Sequence, residues 1–100
     1  MDTLAALSDP TRRRIVEMLA TGPLSSGDIA SEFDITAPAV SQHLKTLRTA
    51  KLVRVRVDAQ RRIYELDGTG IDELAEWILK IRRFWAGKLD DLEKRLREET

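Results

Sequence analysis

Between Thr36 and Leu47 the apolar side chains Ala37, Val40, Leu44 and Leu47 recur at spacings of three and four, which predicts a helix with one buried seam. Thr36 can cap its start through the side-chain hydroxyl. Pro38 in the first turn loses nothing, because its missing N–H would have no intrahelical partner. Ala39, Ser41, Gln42, His43 and Lys45 are left on or beside the open face. These are short donors and acceptors plus one cation. Gln can bond adenine bidentately, Ser can serve base edges or phosphate, and Lys can contact guanine or phosphate, so the face suits a DNA major groove.

The segments before this helix are built to hold it. Leu4 and Leu7 mark a short first helix, and Asp9-Pro10 starts a second, with Asp9 as cap, Pro10 at the first helical position and Ile15, Val16 and Leu19 as the buried stripe. Thr21-Gly22-Pro23 ends it, with Gly22 expected as a left-handed cap. Ser25 caps a third helix whose core face is Ile29, Ala30 and Phe33, and Asp28 in its first turn favours the positive end of the dipole. Asp34-Ile35 leaves room only for a sharply angled helix pair. Residues 25–50 therefore read as a helix-turn-helix.

After Leu47 the period changes. Val53, Val55 and Val57 alternate with Arg54 and Arg56, and Tyr64 and Leu66 resume the alternation after Asp58-Ala59-Gln60, which predicts a two-stranded hairpin, or wing, over residues 52–66. A lone hairpin is marginal in water. Its Val and Tyr face is therefore expected on the helices, with Arg54, Arg56, Arg61 and Arg62 toward solvent or a polyanion.

From Gly70 the helical period returns, and Ile71, Leu74, Ile78, Ile81, Trp85, Leu89, Leu92 and Leu96 form a heptad seam with one stutter between Trp85 and Leu89. A helix over residues 71–98 would be roughly 42 Å long. That is more than so small a domain can cover, so the seam is expected to meet a second copy, with Leu4 and Leu7 beside it. A helix folded back on its own domain is the competing arrangement, and Gly87 is expected to mark a kink or a close backbone contact. The predicted fold is mainly α with a small β-hairpin: one winged helix-turn-helix domain over residues 1–100 with a long C-terminal dimerisation helix over residues 70–98.

The 100 residues carry 17 Lys and Arg against 17 Asp and Glu, yet the balance is local. Residues 36–62 hold seven basic groups against Asp58 alone, while the stretches on either side are acidic. A solvated charged face would also produce such a block. Its junction with a groove-reading helix favours the electrostatic footprint of DNA binding. There are no cysteines, no apolar run near the length of about 18 residues that spans a membrane, and no start resembling a signal peptide. These features imply a soluble, cytoplasmic protein without disulfides, thiolate ligands or a thiol redox switch.

His43, the only histidine, has no Cys, second His or nucleophile motif nearby, so DNA contact is preferred over packing or capping and over a ligand or catalytic role. For Ser41 a hydroxyl bonded back to the preceding turn competes evenly with DNA contact. Arg12, Arg13 and Arg14 read as solvated or ion-paired, and Trp77, Phe84 and Trp85 as core or interface rather than a ligand cavity. The expected DNA-binding residues are Thr36, Ala37, Ala39, Ser41, Gln42, His43 and Lys45 on the helix and Arg54, Arg56, Arg61 and Arg62 on the hairpin. The expected dimer interface is Leu4, Leu7, Ile71, Leu74, Ile78, Ile81, Trp85, Leu89 and Leu92.

Ala6-Leu7-Ser8-Asp9-Pro10-Thr11-Arg12, Ile29-Ala30, Pro38-Ala39-Val40-Ser41-Gln42-His43-Leu44-Lys45-Thr46-Leu47, Leu52-Val53 and Arg62-Ile63-Tyr64-Glu65-Leu66 follow one another in that order. From about residue 4 to residue 66 the chain thereby resembles the ArsR family of winged helix-turn-helix transcriptional repressors. Arg82-Arg83-Phe84-Trp85 followed by Leu89-Asp90-Asp91-Leu92-Glu93 looks like a branch of that family without metal ligands. The resemblance implies a homodimer joined by its first and last helices, binding an imperfect palindrome in double-stranded DNA, usually as a repressor released by a signal.

Departures from the pattern are informative. Positions 34, 51 and 59, where relatives often show Gly, hold Asp34, Lys51 and Ala59. Asp tolerates a left-handed turn, whereas Lys51 and Ala59 are strained if φ is positive there. The positions of the two metal-binding cysteines in thiophilic-metal relatives match Ser25 and Gly27. Relatives with a site on the last helix use His with carboxylates, and His43 lies elsewhere. No metal site and no cofactor are therefore expected, and the inducing ligand or partner protein is left open. The competing functional reading is a winged-helix module used mainly for protein–protein contact. Four wing arginines with one acid suit phosphate better than a protein surface. No paired acid and base, phosphate loop or nucleophile elbow points to an enzyme.

Overall fold

The structure, a computed structural model, describes residues 2–99. In chain order it contains α1 (Asp2–Ala6), α2 (Pro10–Leu19), β1 (Leu24–Ser25), α3 (Ser26–Ser31), α4 (Ala37–Thr49), β2 (Val53–Asp58), β3 (Arg61–Leu66) and α5 (Gly68–Glu98). Side-chain oxygens start the helices where expected. Asp9 accepts from the backbone N–H of Arg12, Ser25 from that of Asp28 and Thr36 from that of Ala39. Asp67 does the same for Thr69, so α5 begins three residues before Ile71, the first of its apolar seam.

The sheet has three strands rather than the two expected. β1 pairs antiparallel with β3, giving the order β1-β3-β2. Two residues are too few to show an alternation, and Ser25 serves both as the end of β1 and as the cap of α3. Ile15, Leu19, Ile29, Val40, Leu44, Leu47, Leu52, Val53 and Tyr64 interlock beneath the sheet. Each large apolar side chain buried there contributes about 1.5–3 kcal/mol. Helices as short as α1 and α3 are held by that packing and not by their own propensity.

Several side chains lie elsewhere than their spacing indicates. In α1 the buried residues are Thr3 and Ala6, Leu4 faces outward, and Leu7 lies past the helix end against the chain's own core. Ala37 is exposed and not part of the α4 seam, because the first helical residue precedes the turn that reaches the core. Val57 is 73% exposed, since the hairpin tip extends past the helices that cover Val53. Gly22 has φ +145°, a positive-φ extended conformation rather than a left-handed cap. Among the described non-glycine residues only Lys51 (φ 59°) and Ala59 (φ 58°) are left-handed, so Asp34 is not.

The start of α5 is locked to the end of α4. Gly70 N–H donates to the Lys51 carbonyl at 2.8 Å, and Asp67 N–H to that of Leu52 at 2.9 Å. A Cβ on Gly70 would lie 2.6 Å from the Lys51 oxygen and 2.8 Å from the Ala50 oxygen. Backbone cannot yield to that overlap as a flexible side chain could, so the position requires glycine. Past its contact with α1 the helix leaves the domain. The molecule measures 69 × 26 × 22 Å with a radius of gyration of 19.0 Å, against about 13 Å for a compact chain of this length. Leu74 and Ile81 are half-buried, but Ile78, Trp85, Leu89, Leu92 and Leu96 are exposed. α5 runs unbroken through Gly87, and no atom outside the helix's own backbone comes within 4 Å of where a Cβ there would stand.

Gly70→Ala is expected to lower stability by about 2 kcal/mol or more in a urea titration, since the carbonyls it meets cannot relax. Lys51→Gly should raise stability by about 0.5–1 kcal/mol, because it relieves left-handed strain partly offset by unfolded-state entropy. Equal midpoints for wild type and Gly70→Ala would contradict the tight docking.

Candidate nucleic-acid interface

α4 turns Val40, Leu44 and Leu47 into the core and leaves Ser41, Gln42 and Lys45 exposed on its other side. Thr36 is exposed at the cap and Ala39 is half-buried. The hydroxyls of Thr46 and Thr49 bond back to the carbonyls of Gln42 and Lys45. Ser41 makes no such bond among the described residues. Its hydroxyl is therefore not engaged in the back-bonded role.

His43 sits differently from its neighbours. Its Nδ1 lies 3.4 Å from Arg12 Nη1 and 3.9 Å from Asp9 Oδ2, and only 22% of the side chain is exposed. The packing role ranked second from the sequence is thus present in the free protein, where the ring fills the joint between α4 and the start of α2. Arg12 and Arg13 are not simply solvated or ion-paired either. Arg12 donates through Nε to the Ala6 carbonyl at 2.6 Å and through Nη2 to that of Ala5 at 3.3 Å, while Arg13 Nη1 reaches Leu7 at 3.3 Å. The Nε bond satisfies the Ala6 carbonyl, which the short α1 leaves open at its C-terminal end, while the Ala5 carbonyl is shared with the N–H and hydroxyl of Ser8. A short helix ending just before a run of arginines was the available signal. The Arg12 backbone N–H, followed by the charges of His43 and Arg12, holds the Asp9 carboxyl below its ordinary value despite some desolvation.

The wing divides its arginines. Cross-strand pairs Arg54 with Glu65, Arg56 with Ile63, Val57 with Arg62 and Asp58 with Arg61 put Arg54, Arg56, Arg61 and Glu65 on one face and Arg62 on the other, beside Val57. All four arginines are exposed, but three have carboxylate partners where free cations were expected. Glu65 takes Arg54 Nε at 2.9 Å on one oxygen and Arg56 Nε at 4.0 Å on the other, and Arg61 reaches Asp28 of α3 at 3.5 Å. Exposed pairs are worth only about 0–1 kcal/mol, so a phosphate can replace them. The Arg54 bond uses Nε and leaves both Nη groups free for a second acceptor.

Among the described residues no group of three or more His, Cys, Asp or Glu is gathered to hold a metal. Among the same residues no helix is long and apolar enough to cross a membrane. Residues 9–55, from the cap of α2 into β2, match the family described as bacterial regulatory protein, arsR family. The chain is 50% identical over 84 residues to the HTH-type transcriptional regulator Rv2034 of Mycobacterium tuberculosis, covering 84% of this chain and 76% of that protein. The chain belongs to the ArsR family.

Other members agree with that placement. Transcriptional repressor SdpR of Bacillus subtilis is 38% identical, with 74% of this chain and 82% of the relative covered. A crystal structure described as a possible transcriptional regulator for arsenical resistance superposes with a TM-score of 0.72 at 38% identity, covering 92% of this chain and 93% of that one. The ArsR-like transcriptional regulator from Rhodococcus sp. RHA1 gives 0.78 at 25% identity, covering 93% and 88%. This ArsR-family chain is a DNA-binding transcriptional regulator with a winged helix-turn-helix fold. None of these relatives is named as a protein-interaction module.

Glu65→Gln in this ArsR-family chain removes the charge that holds Arg54 and Arg56. Affinity for non-operator DNA should rise several-fold and its salt dependence steepen by about one unit. Fluorescence anisotropy over a potassium chloride series reads both, and an unchanged slope would mean that this face of the wing does not meet phosphate.

Proposed function

We propose that this regulator is a homodimeric repressor that reads an imperfect palindrome with α4 of each protomer and grips the flanking backbone with its wing. The observation that carries the proposal is the exposed set of Ser41, Gln42 and Lys45 on a helix whose opposite face is buried, next to an arginine-bearing hairpin. Ser41, Gln42 and Lys45 are the base readers, with His43 beside them. Thr36, Ala37 and Ala39 line the helix start, where N–H groups and small side chains admit a phosphate. Arg54, Arg56 and Arg61 exchange their carboxylates for the DNA backbone, and Arg62 serves the other side of the hairpin. The similarity to a protein named as a transcriptional repressor favours repression over activation.

The second copy is argued from α5. Ile71, Ile78, Trp85, Leu89 and Leu92 are exposed along one seam, and each would contribute roughly 1.5–3 kcal/mol if buried, against a cost of association of about 4–15 kcal/mol. Leu4 lies on α1, which packs against α5, and turns outward. It joins the interface, with Leu7, half-buried against its own core, beside it. A two-fold axis through α5 places the two recognition helices about 34 Å apart, one turn of DNA.

Footprinting on the DNA upstream of its own gene is the first experiment. Gln42→Ala should then lower operator affinity by about 1–3 kcal/mol with little change in non-operator binding. A uniform loss on both DNAs would remove Gln42 from base reading. Ile81→Glu combined with Leu92→Glu should give a monomer in sedimentation that has lost operator affinity by about two orders of magnitude or more. A dimer that survives both substitutions would place the interface elsewhere.

A further inference from the structure

The Arg12 side chain joins three helices. It leaves α2, spends Nε and Nη2 on the carbonyls of Ala6 and Ala5 in α1, and directs Nη1 to His43 Nδ1 in α4 at 3.4 Å. A guanidinium has donors only and keeps its proton. In this contact Nδ1 is therefore the acceptor, and the neutral ring carries its hydrogen on Nε2, at the far edge of the imidazole. Asp9 competes for the same atom. Its Oδ2 lies 3.9 Å from Nδ1, near enough for a small ring rotation to make Nδ1–H the donor and leave Nε2 bare. The proton's position on His43 is thus set by which of two side chains at the start of α2, the cap Asp9 or Arg12, holds Nδ1.

We infer that Arg12 is a positioning residue for operator reading: by occupying Nδ1 it fixes His43 as an Nε2–H donor on α4. The inference rests on the proposal that α4 reads DNA, and it adds a chemical class to that reading. The His43 ring addresses a groove acceptor such as guanine N7 or O6 or thymine O4, and not an amino group. Arg12 also ties the ring to α1. A displacement of α1 withdraws the guanidinium from Nδ1, releases the ring to Asp9 and turns the donor into an acceptor.

His43 is the sole histidine, so long-range proton–nitrogen spectra of 15N-labelled protein contain one imidazole. At about pH 8.5, where a free imidazole is neutral, wild type without DNA should show the Nε2–H tautomer. Arg12→Met should shift it toward Nδ1–H as Asp9 takes the vacated atom. A wild-type ring protonated on Nδ1 overturns the inference even if Arg12→Met does not fold, and so does a variant ring with the wild-type tautomer. On a footprinted operator, Arg12→Met should reduce the ratio of operator to non-operator affinity about tenfold, the loss of one base contact. A tautomer change without that loss cuts the link to base reading. The Gln42→Ala variant reports separately on whether α4 reads the groove at all, since it leaves the Arg12–His43 contact in place.

Discussion

One peptide carbonyl holds the architecture together. Lys51 adopts a left-handed conformation at the end of α4, which turns its oxygen toward the first residues of α5, where the N–H of Gly70 meets it. Leu52 N–H bonds back to the Leu47 carbonyl, and its own carbonyl takes Asp67 N–H. Within a few residues these bonds end α4, aim the chain into β2 and choose the direction in which α5 departs. A lysine is a poor residue for that conformation and glycine the only one that fits opposite it. The strain at position 51 is thereby kept next to the contact that needs it, which is where backbone strain persists in folded proteins.

The helices, their caps and the hairpin were legible because each rests on a local rule. Asp9, Ser25 and Thr36 are oxygens next to an apolar period, and a cap needs nothing from the rest of the chain; Asp67, four residues ahead of Ile71, was not read as one. The heptad run in α5 was legible for the same reason, and its exposure on the single chain follows from a length that no local packing can absorb. What escaped needed the third dimension. β1 is two residues long, and only the position of β3 makes it a strand. Whether His43 faces groove or protein depended on where the start of α2 lies, which no spacing within α4 contains.

The wing shows how a local charge count misleads. Residues 36–62 are strongly basic by tally, but Glu65 lies just past that window and Asp28 on α3 ahead of it, and both meet its arginines. Weak pairs of this kind hold long side chains in an extended, ordered state at little energetic cost. They also lower the attraction for any passing polyanion. The measured quantity most sensitive to them is the ratio between specific and non-specific DNA binding, not either affinity alone.

α5 can also be viewed as a lever mounted on a pivot. Its 31 residues span about 46 Å at the usual rise, and they are clamped to the domain near the Gly70 end, with α1 packed beside them. A tilt of about 5° at that pivot moves the far tip by roughly 4 Å, about the rise of one base pair. Under the proposed dimer, the spacing between two reading heads is therefore adjusted at residues 50–52 and 67–70, remote from both the bases and the paired helices. Substitutions at those few positions could retune a protein of this shape to operators of different half-site separation, while the surfaces that read DNA and that pair the subunits stay as they are.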